Sequence, residues 1–121
     1  MKEKKQNYYP ISKLAFFEEL LSGSIEEAEN LYKGLELAKD RPHVLDNETL
    51  DRAYKLYTSE LEMEEALYNQ VNRWLEDKSL KESTVKDIYL LRDQRKKFSN
   101  LCRKILSLTK ELKKGSINNI M

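Results

Sequence analysis

The sequence predicts an all-α fold, an antiparallel helical bundle of three to four helices dominated by a long C-terminal helical hairpin. Only three of the 121 residues are Gly and two are Pro, whereas Leu, Glu and Lys are abundant, as is typical of helices. No segment clearly alternates apolar and polar residues as a half-buried strand does. Between Leu50 and Lys114, two long series of apolar residues recur at helical spacing. A chain of this length is expected to form a single helical domain over residues 1–121.

The N-terminal third is predicted to hold a flexible tail and two short helices. Residues 1–11 are mostly polar and basic, and we expect a loose tail with Tyr8 and Tyr9 docked on the domain. Two short helices are predicted over residues 12–40, the first with Ser12 as its N-cap. The run Ser22-Gly23-Ser24 should interrupt them, and Ser24 and Glu27 have the spacing of a capping box for the second. The pattern leaves open whether they are separate or form one kinked helix.

A long helix is predicted over residues 46–78, with Asp46 as its N-cap. Its main apolar ladder alternates steps of four and three residues, the repeat of a coiled coil, and includes one charged residue. The ladder consists of Leu50, Tyr54, Tyr57, Leu61, Glu64, Tyr68, Val71 and Leu75. A second line beside it consists of Ala53, Leu56, Met63, Leu67 and Trp74. Since the two lines cover about half of the helix circumference, we expect this helix to contact at least two neighbours.

A second long helix is predicted over residues 84–114. Its ladder consists of Ile88, Leu91, Arg95, Phe98, Cys102, Ile105, Thr109 and Leu112, again with one charged residue. Ser83 or Thr84 is the expected N-cap, and Gly115 is the expected left-handed residue that ends the helix. Residues 115–121 then form a short tail. Because only a short polar segment separates the two long helices, they should be antiparallel neighbours.

The single charged residue in each ladder predicts an ion pair inside the hairpin. If the chain turns near Ser79 and Leu80, Glu64 and Arg95 lie at the same level on facing helices. A lone buried charge would cost several kcal/mol, so the two charges are expected to pair as a structural ion pair. The alternative is a register one turn different, which would put both side chains at the rim of the seam.

The charges nearly cancel, to a formal net charge of +1, but they are unevenly distributed. Residues 46–82 carry ten acidic and five basic side chains, and residues 83–121 carry three acidic and ten basic ones. The two arms of the hairpin therefore have opposite signs and should attract each other. A nearly neutral chain has no global field that would attract it to nucleic acid or to an anionic membrane.

The sequence predicts no catalytic, cofactor-binding or metal-binding residues, and no cofactor. The single histidine, His43, lies in a turn with Pro42 and has no cysteine at ligand spacing. Cys102 occupies an apolar ladder position, where a thiol acts as a small hydrophobe. Glu60, like Glu64 and Glu65, is expected to form salt bridges rather than to bind metal. The single cysteine and the lack of a signal-peptide or membrane-spanning run predict a cytoplasmic protein.

These features predict a non-enzymatic helical protein that acts through protein–protein interaction, first of all with a second copy of itself. The expected partner-binding residues are Met63, Leu67 and Trp74 on the second apolar line. The alternative is a nucleic-acid-associated regulatory protein that uses a basic stripe on the last helix. This stripe consists of Arg92, Lys96, Arg103, Lys110 and Lys114. Against the alternative stand the near-neutral charge and the absence of stacking aromatic residues from that face. No membrane partner and no small-molecule substrate are expected.

Overall fold

Three long α-helices form the part of the chain that the computed structural model describes, residues 9–41 and 45–120, with side chains as far as Lys114. They are α1 (Leu14–Leu37), α2 (Asn47–Leu75) and α3 (Glu82–Ile120). Short 3-10 turns, Ile11–Lys13 and Ala38–Asp40, flank α1. The predicted all-α fold with its long hairpin is confirmed. Residues 1–8, with Tyr8, and residues 42–44, with His43, lie outside the described residues.

Of the two possibilities left open for residues 12–40, the structure has a single helix: α1 runs without interruption through Ser22-Gly23-Ser24, so two separate short helices do not form. Ser22 and Gly23 are exposed, while Leu21 and Ile25 continue the buried face of the helix on either side of them. Gly and Ser weaken a helix by about 1 kcal/mol or less each. Packing of a continuous apolar face against the bundle offsets that loss, as it does for most helices in proteins.

The observed ends of α2 and α3 agree with the predicted ends only in part. The N-cap of α2 is confirmed, since the Asp46 carboxylate accepts a hydrogen bond of 2.8 Å from the backbone N–H of Thr49. By contrast, α3 begins at Glu82, before the expected caps Ser83 and Thr84. Gly115 does not end α3, which continues to Ile120, so the predicted short tail is wrong. Glycine permits a left-handed end to a helix but does not impose one.

The central helix of the bundle is α3, not α2. Both α1 and α2 pack along α3, and they hardly approach each other. The ladder of α3 is buried between them, apart from partial exposure of Arg95. The expectation that α2 contacts at least two neighbours is met near its C-terminal end, where Trp74 packs against Phe17 of α1. Elsewhere its second line stays open at Leu56 and Met63, which are 52% and 65% exposed. In the described residues, no helix is both long and apolar enough to cross a membrane.

Candidate functional site

An open groove of about 300 Å³ lies between α1 and α2, because both helices pack on α3 rather than on each other. Phe98 of α3 lies at its base. The lining residues from α1 are Phe17, Leu20, Leu21 and Ser24, and those from α2 are Glu60, Met63, Glu64, Ala66, Leu67 and Gln70. Leu20 is 53% exposed and Met63 is 65% exposed. The groove is therefore an apolar surface that another molecule could cover.

One end of the groove is closed by the residues that precede α1. The backbone N–H of Tyr9 donates a hydrogen bond of 2.6 Å to Gln70 Oε1, and Trp74 Nε1–H donates one of 2.8 Å to the Tyr9 carbonyl. The ring of Phe17 lies between them, 5.4 Å from the Tyr9 ring and 5.9 Å from the Trp74 ring, measured between centroids. Tyr9 is thus docked on α2, as the sequence analysis expected for this tyrosine of the N-terminal tail.

This arrangement separates the three predicted partner-binding residues. Trp74 is buried under Tyr9 and Phe17, so its prediction as an anchor for a partner is wrong. The physical reason is that residues of the same chain satisfy its indole N–H and cover its ring. Met63 and Leu67 remain on the wall of the groove.

The structure brings Glu64 and Arg95 together inside the hairpin seam, beside the base of the groove. The Arg95 guanidinium contacts the Glu64 carboxylate, and the two side chains are 13% and 8% exposed, respectively. The guanidinium also lies over the Tyr68 ring, 4.7 Å from its centroid. The contact is a salt bridge between two largely buried side chains. Burial lowers the pKa of Arg95, and the positive charge of Arg103 lowers it further.

The other end of the groove is acidic. Glu60 lines it, and the carboxylate of Glu27 on α1 lies near enough to act on Glu60 electrostatically. Burial raises the pKa of Glu60, and the negative charge of Glu27 raises it further. Among the described residues neither carboxylate has a basic partner. The expectation that Glu60 forms a salt bridge is therefore wrong for this part of the chain, and two like charges remain uncompensated.

The predicted basic stripe lies on the outside of α3. Lys96, Arg103, Lys110 and Lys114 are exposed and Arg92 is half-buried. None of these five cations forms an ion pair within the described ranges. The pairs between α2 and α3 use other residues, Glu64 with Arg95 and Asp51 with Lys113, the latter at 2.5 Å.

Two local contacts modify this stripe. Arg92 lies over the ring of Tyr89, 4.7 Å from its centroid, although the sequence indicated no stacking aromatic residue on this face. Arg103 Nη1 donates a hydrogen bond of 2.5 Å to Ser99 Oγ one turn earlier. The stripe therefore combines three lysines that form no ion pair within the described ranges with two arginines that contact neighbours on the same helix.

The titratable groups outside the groove offer little chemistry. Cys102 is completely buried, and burial raises its pKa to about 12, so it is a thiol at neutral pH and a poor nucleophile. In the described part of the chain, no three His, Cys, Asp or Glu side chains cluster closely enough to hold a metal ion.

No family model, curated protein or solved structure matches this chain. The functional inference therefore depends on the groove and the charged surfaces. The sequence pattern indicated Met63 and Leu67 but not Leu20, Glu27 or Glu60, whose importance depends on α1 and α2 facing each other across a gap. The second apolar line on α2, which the main ladder does not need for packing on α3, is the sequence feature that points toward such a gap.

Proposed function

We propose that this protein acts without catalysis, by binding another protein through the groove between α1 and α2. The observation that carries the proposal is the apolar groove of about 300 Å³, with Leu20 and Met63 more than half exposed at its rim. Removing apolar surface from water stabilises a complex by roughly 25 cal/mol per Å² before the costs of association. Side chains of a partner that fill the groove would gain this free energy.

The walls of the groove favour a helical partner. Both walls are α-helices, whose backbone N–H and C=O groups are used within the helices. An extended peptide would find no strand edge to pair with and would leave its own backbone unsatisfied. A helix brings a satisfied backbone and can insert side chains at positions i, i+3 or i+4 and i+7 into such a groove.

A different protein suits the groove better than the second copy expected from the sequence. A symmetric dimer brings the same surface of two molecules together. The described lining of the groove includes no lysine or arginine, so a second groove would bring no cation to Glu27 and Glu60, which lack basic partners among the described residues. A carboxylate buried at an interface without a cation costs free energy.

A site-specific photo-crosslinking experiment tests the proposal. A photoreactive amino acid replaces Met63 in the groove or, as the control, Leu37, which is 76% exposed on α1 outside the groove. Expressed in the source cells, the first protein should crosslink to one partner that the second does not capture. The purified partner should then bind the wild-type chain, with an affinity lowered at least tenfold, about 1.4 kcal/mol, by Leu20→Gln combined with Met63→Gln.

The matched control is Leu37→Gln combined with Leu90→Gln. It makes the same chemical change at two exposed leucines outside the groove, 76% and 60% exposed, and should leave the affinity unchanged. Equal crosslinking from positions 63 and 37, or an affinity insensitive to the groove substitutions, would show that the groove is not the binding surface.

Nucleic-acid binding is the second candidate, favoured by the five cations of the basic stripe that have no acidic partner in the described structure. The stripe is about 33 Å long, at 1.5 Å per residue, and could follow phosphates. Changing Lys96, Lys110 and Lys114 to Glu should abolish salt-sensitive retention on DNA or RNA if this candidate is right. The groove variant with Leu20→Gln and Met63→Gln should be retained normally, which separates the two functions.

A further inference from the structure

We infer that the partner of the groove is an amphipathic helix with a lysine or arginine beside its apolar face, and that this cation lies between Glu27 and Glu60. The inference rests on the proposed function, since it assumes that the groove binds protein. It adds the chemical class of the partner and states at which end of the groove the partner's positive charge must lie.

The two ends of the groove differ in charge. At one end Tyr9, Phe17 and Gln70 are held together by ring contacts and hydrogen bonds. At its base the negative charge of Glu64 is already compensated by Arg95. At the other end Glu60, on α2, and Glu27, on α1, carry charges that no described cation compensates. A complementary partner is therefore apolar over most of the groove and positive at this end.

The carboxylates at this end differ from those of Glu29 and Asp51, which have basic partners on α3: Glu29 lies 3.4 Å from Lys97, and Asp51 pairs with Lys113. Burial and mutual repulsion raise the pKa of Glu60, so the free protein holds this charge at a cost in free energy. A cation from a partner would convert that repulsion into attraction to two carboxylates.

The spacing along α2 places the cation relative to the apolar anchors. Leu67 and Met63 lie two turns and one turn from Glu60 on the same wall, distances of about 10 Å and 5 Å along the axis. A partner helix that packs against Leu67 and Met63 therefore presents its cation one to two turns from its main apolar anchor. The acidic end also decides the orientation of the helix in the groove.

Selection from a library of helices tests the inference even while the natural partner is unidentified. The library displays helices of about 15 residues with one face randomised, and the full-length protein is the target. Enriched helices should carry Lys or Arg at one fixed position, one to two turns from their apolar anchors. A synthetic peptide of the enriched sequence should bind about tenfold more weakly to the variant with Glu27→Gln and Glu60→Gln, the loss typical of one charge-assisted hydrogen bond.

A matched variant controls for charge and folding. Glu26→Gln with Glu62→Gln removes two exposed carboxylates from the same two helices outside the groove, and should leave the affinity unchanged. Neutralising Glu27 and Glu60 removes a repulsion, so the fold should not suffer, and thermal unfolding checks this. Replacing the peptide's cation by Gln should reproduce the tenfold loss on the wild type and cause no further loss on the Glu27→Gln and Glu60→Gln variant.

Three outcomes would overturn the inference. If selected helices need Leu20 and Met63 but show no basic residue and no sensitivity to Glu27→Gln and Glu60→Gln, the inference is wrong and the proposed function stands. If no selected helix depends on Leu20 and Met63, both are wrong. If light scattering shows a dimer that Leu20→Gln and Met63→Gln dissociate, the occupant is a second copy of the chain instead.

Discussion

Replacing the charge pair inside the hairpin by leucines should reveal how strongly its two members depend on each other. The variants are Glu64→Leu, Arg95→Leu and the double substitution. In the wild type the two side chains are 8% and 13% exposed and contact each other, with the Tyr68 ring against the guanidinium. Each single variant leaves one charge without its partner in a largely apolar seam, whereas the double variant leaves none.

The expected magnitudes follow from this burial. Removing one member of a buried pair costs about 3–5 kcal/mol, while replacing both by apolar residues is often neutral or stabilising. Because Glu64 borders the open groove and Arg95 keeps its contact with Tyr68, we expect the lower values, about 2–3 kcal/mol for each single variant. The double variant should lie within about 1 kcal/mol of the wild type, a coupling of at least 2 kcal/mol.

Urea unfolding followed by far-ultraviolet circular dichroism measures these differences. Each single variant should lower the urea midpoint by roughly 1–2 M. Arg95→Leu should also regain stability as the pH falls from 7 toward 5, because a buried carboxylate without a cation binds a proton more readily in the folded than in the unfolded chain. Additive costs, with a coupling below about 0.5 kcal/mol, would mean that the two residues do not pair and that the hairpin has another register.

Three further predictions concern single positions. Gly23→Ala and Gly34→Ala should each stabilise the protein by about 0.5–1 kcal/mol in thermal unfolding, because nothing lies within 4 Å of an added Cβ; a loss would contradict a continuous α1. Trp74→Phe keeps a ring but loses the hydrogen bond to the Tyr9 carbonyl, and should cost about 1 kcal/mol in urea; no cost would argue against the docking of Tyr9. Because burial raises the pKa of Cys102 to about 12, stability should be full below about pH 8.5 and then fall by up to about 1.4 kcal/mol per pH unit. Cys102→Ala should remove this slope between pH 8.5 and 10, and an unchanged slope would contradict the assignment.

The two long helices and their antiparallel packing were predictable because helical periodicity and a short connection are local properties of the chain. The ladder of α3 and the N-cap Asp46 belong to this class. The position of the turn also predicts that Glu64 and Arg95 lie opposite each other on the two helices, as they do. Local break signals failed at Gly23 and Gly115, through which the helices continue, and at Gly23 a buried helix face opposed the break. A glycine inside a helix costs about 1 kcal/mol of helix stability. Burying the apolar face of the helix can contribute more than that.

By itself, the sequence determined which residues are apolar and with what period, and therefore the helical class and the hairpin of α2 and α3. Only the tertiary structure decided which neighbour covers each apolar face. It made α3 the central helix, buried Trp74 under Tyr9 and Phe17, and left Met63 open in the groove. The physical reason is that hydrophobic burial has no direction: a pattern states that a face must be covered, and the packing of distant segments determines what covers it.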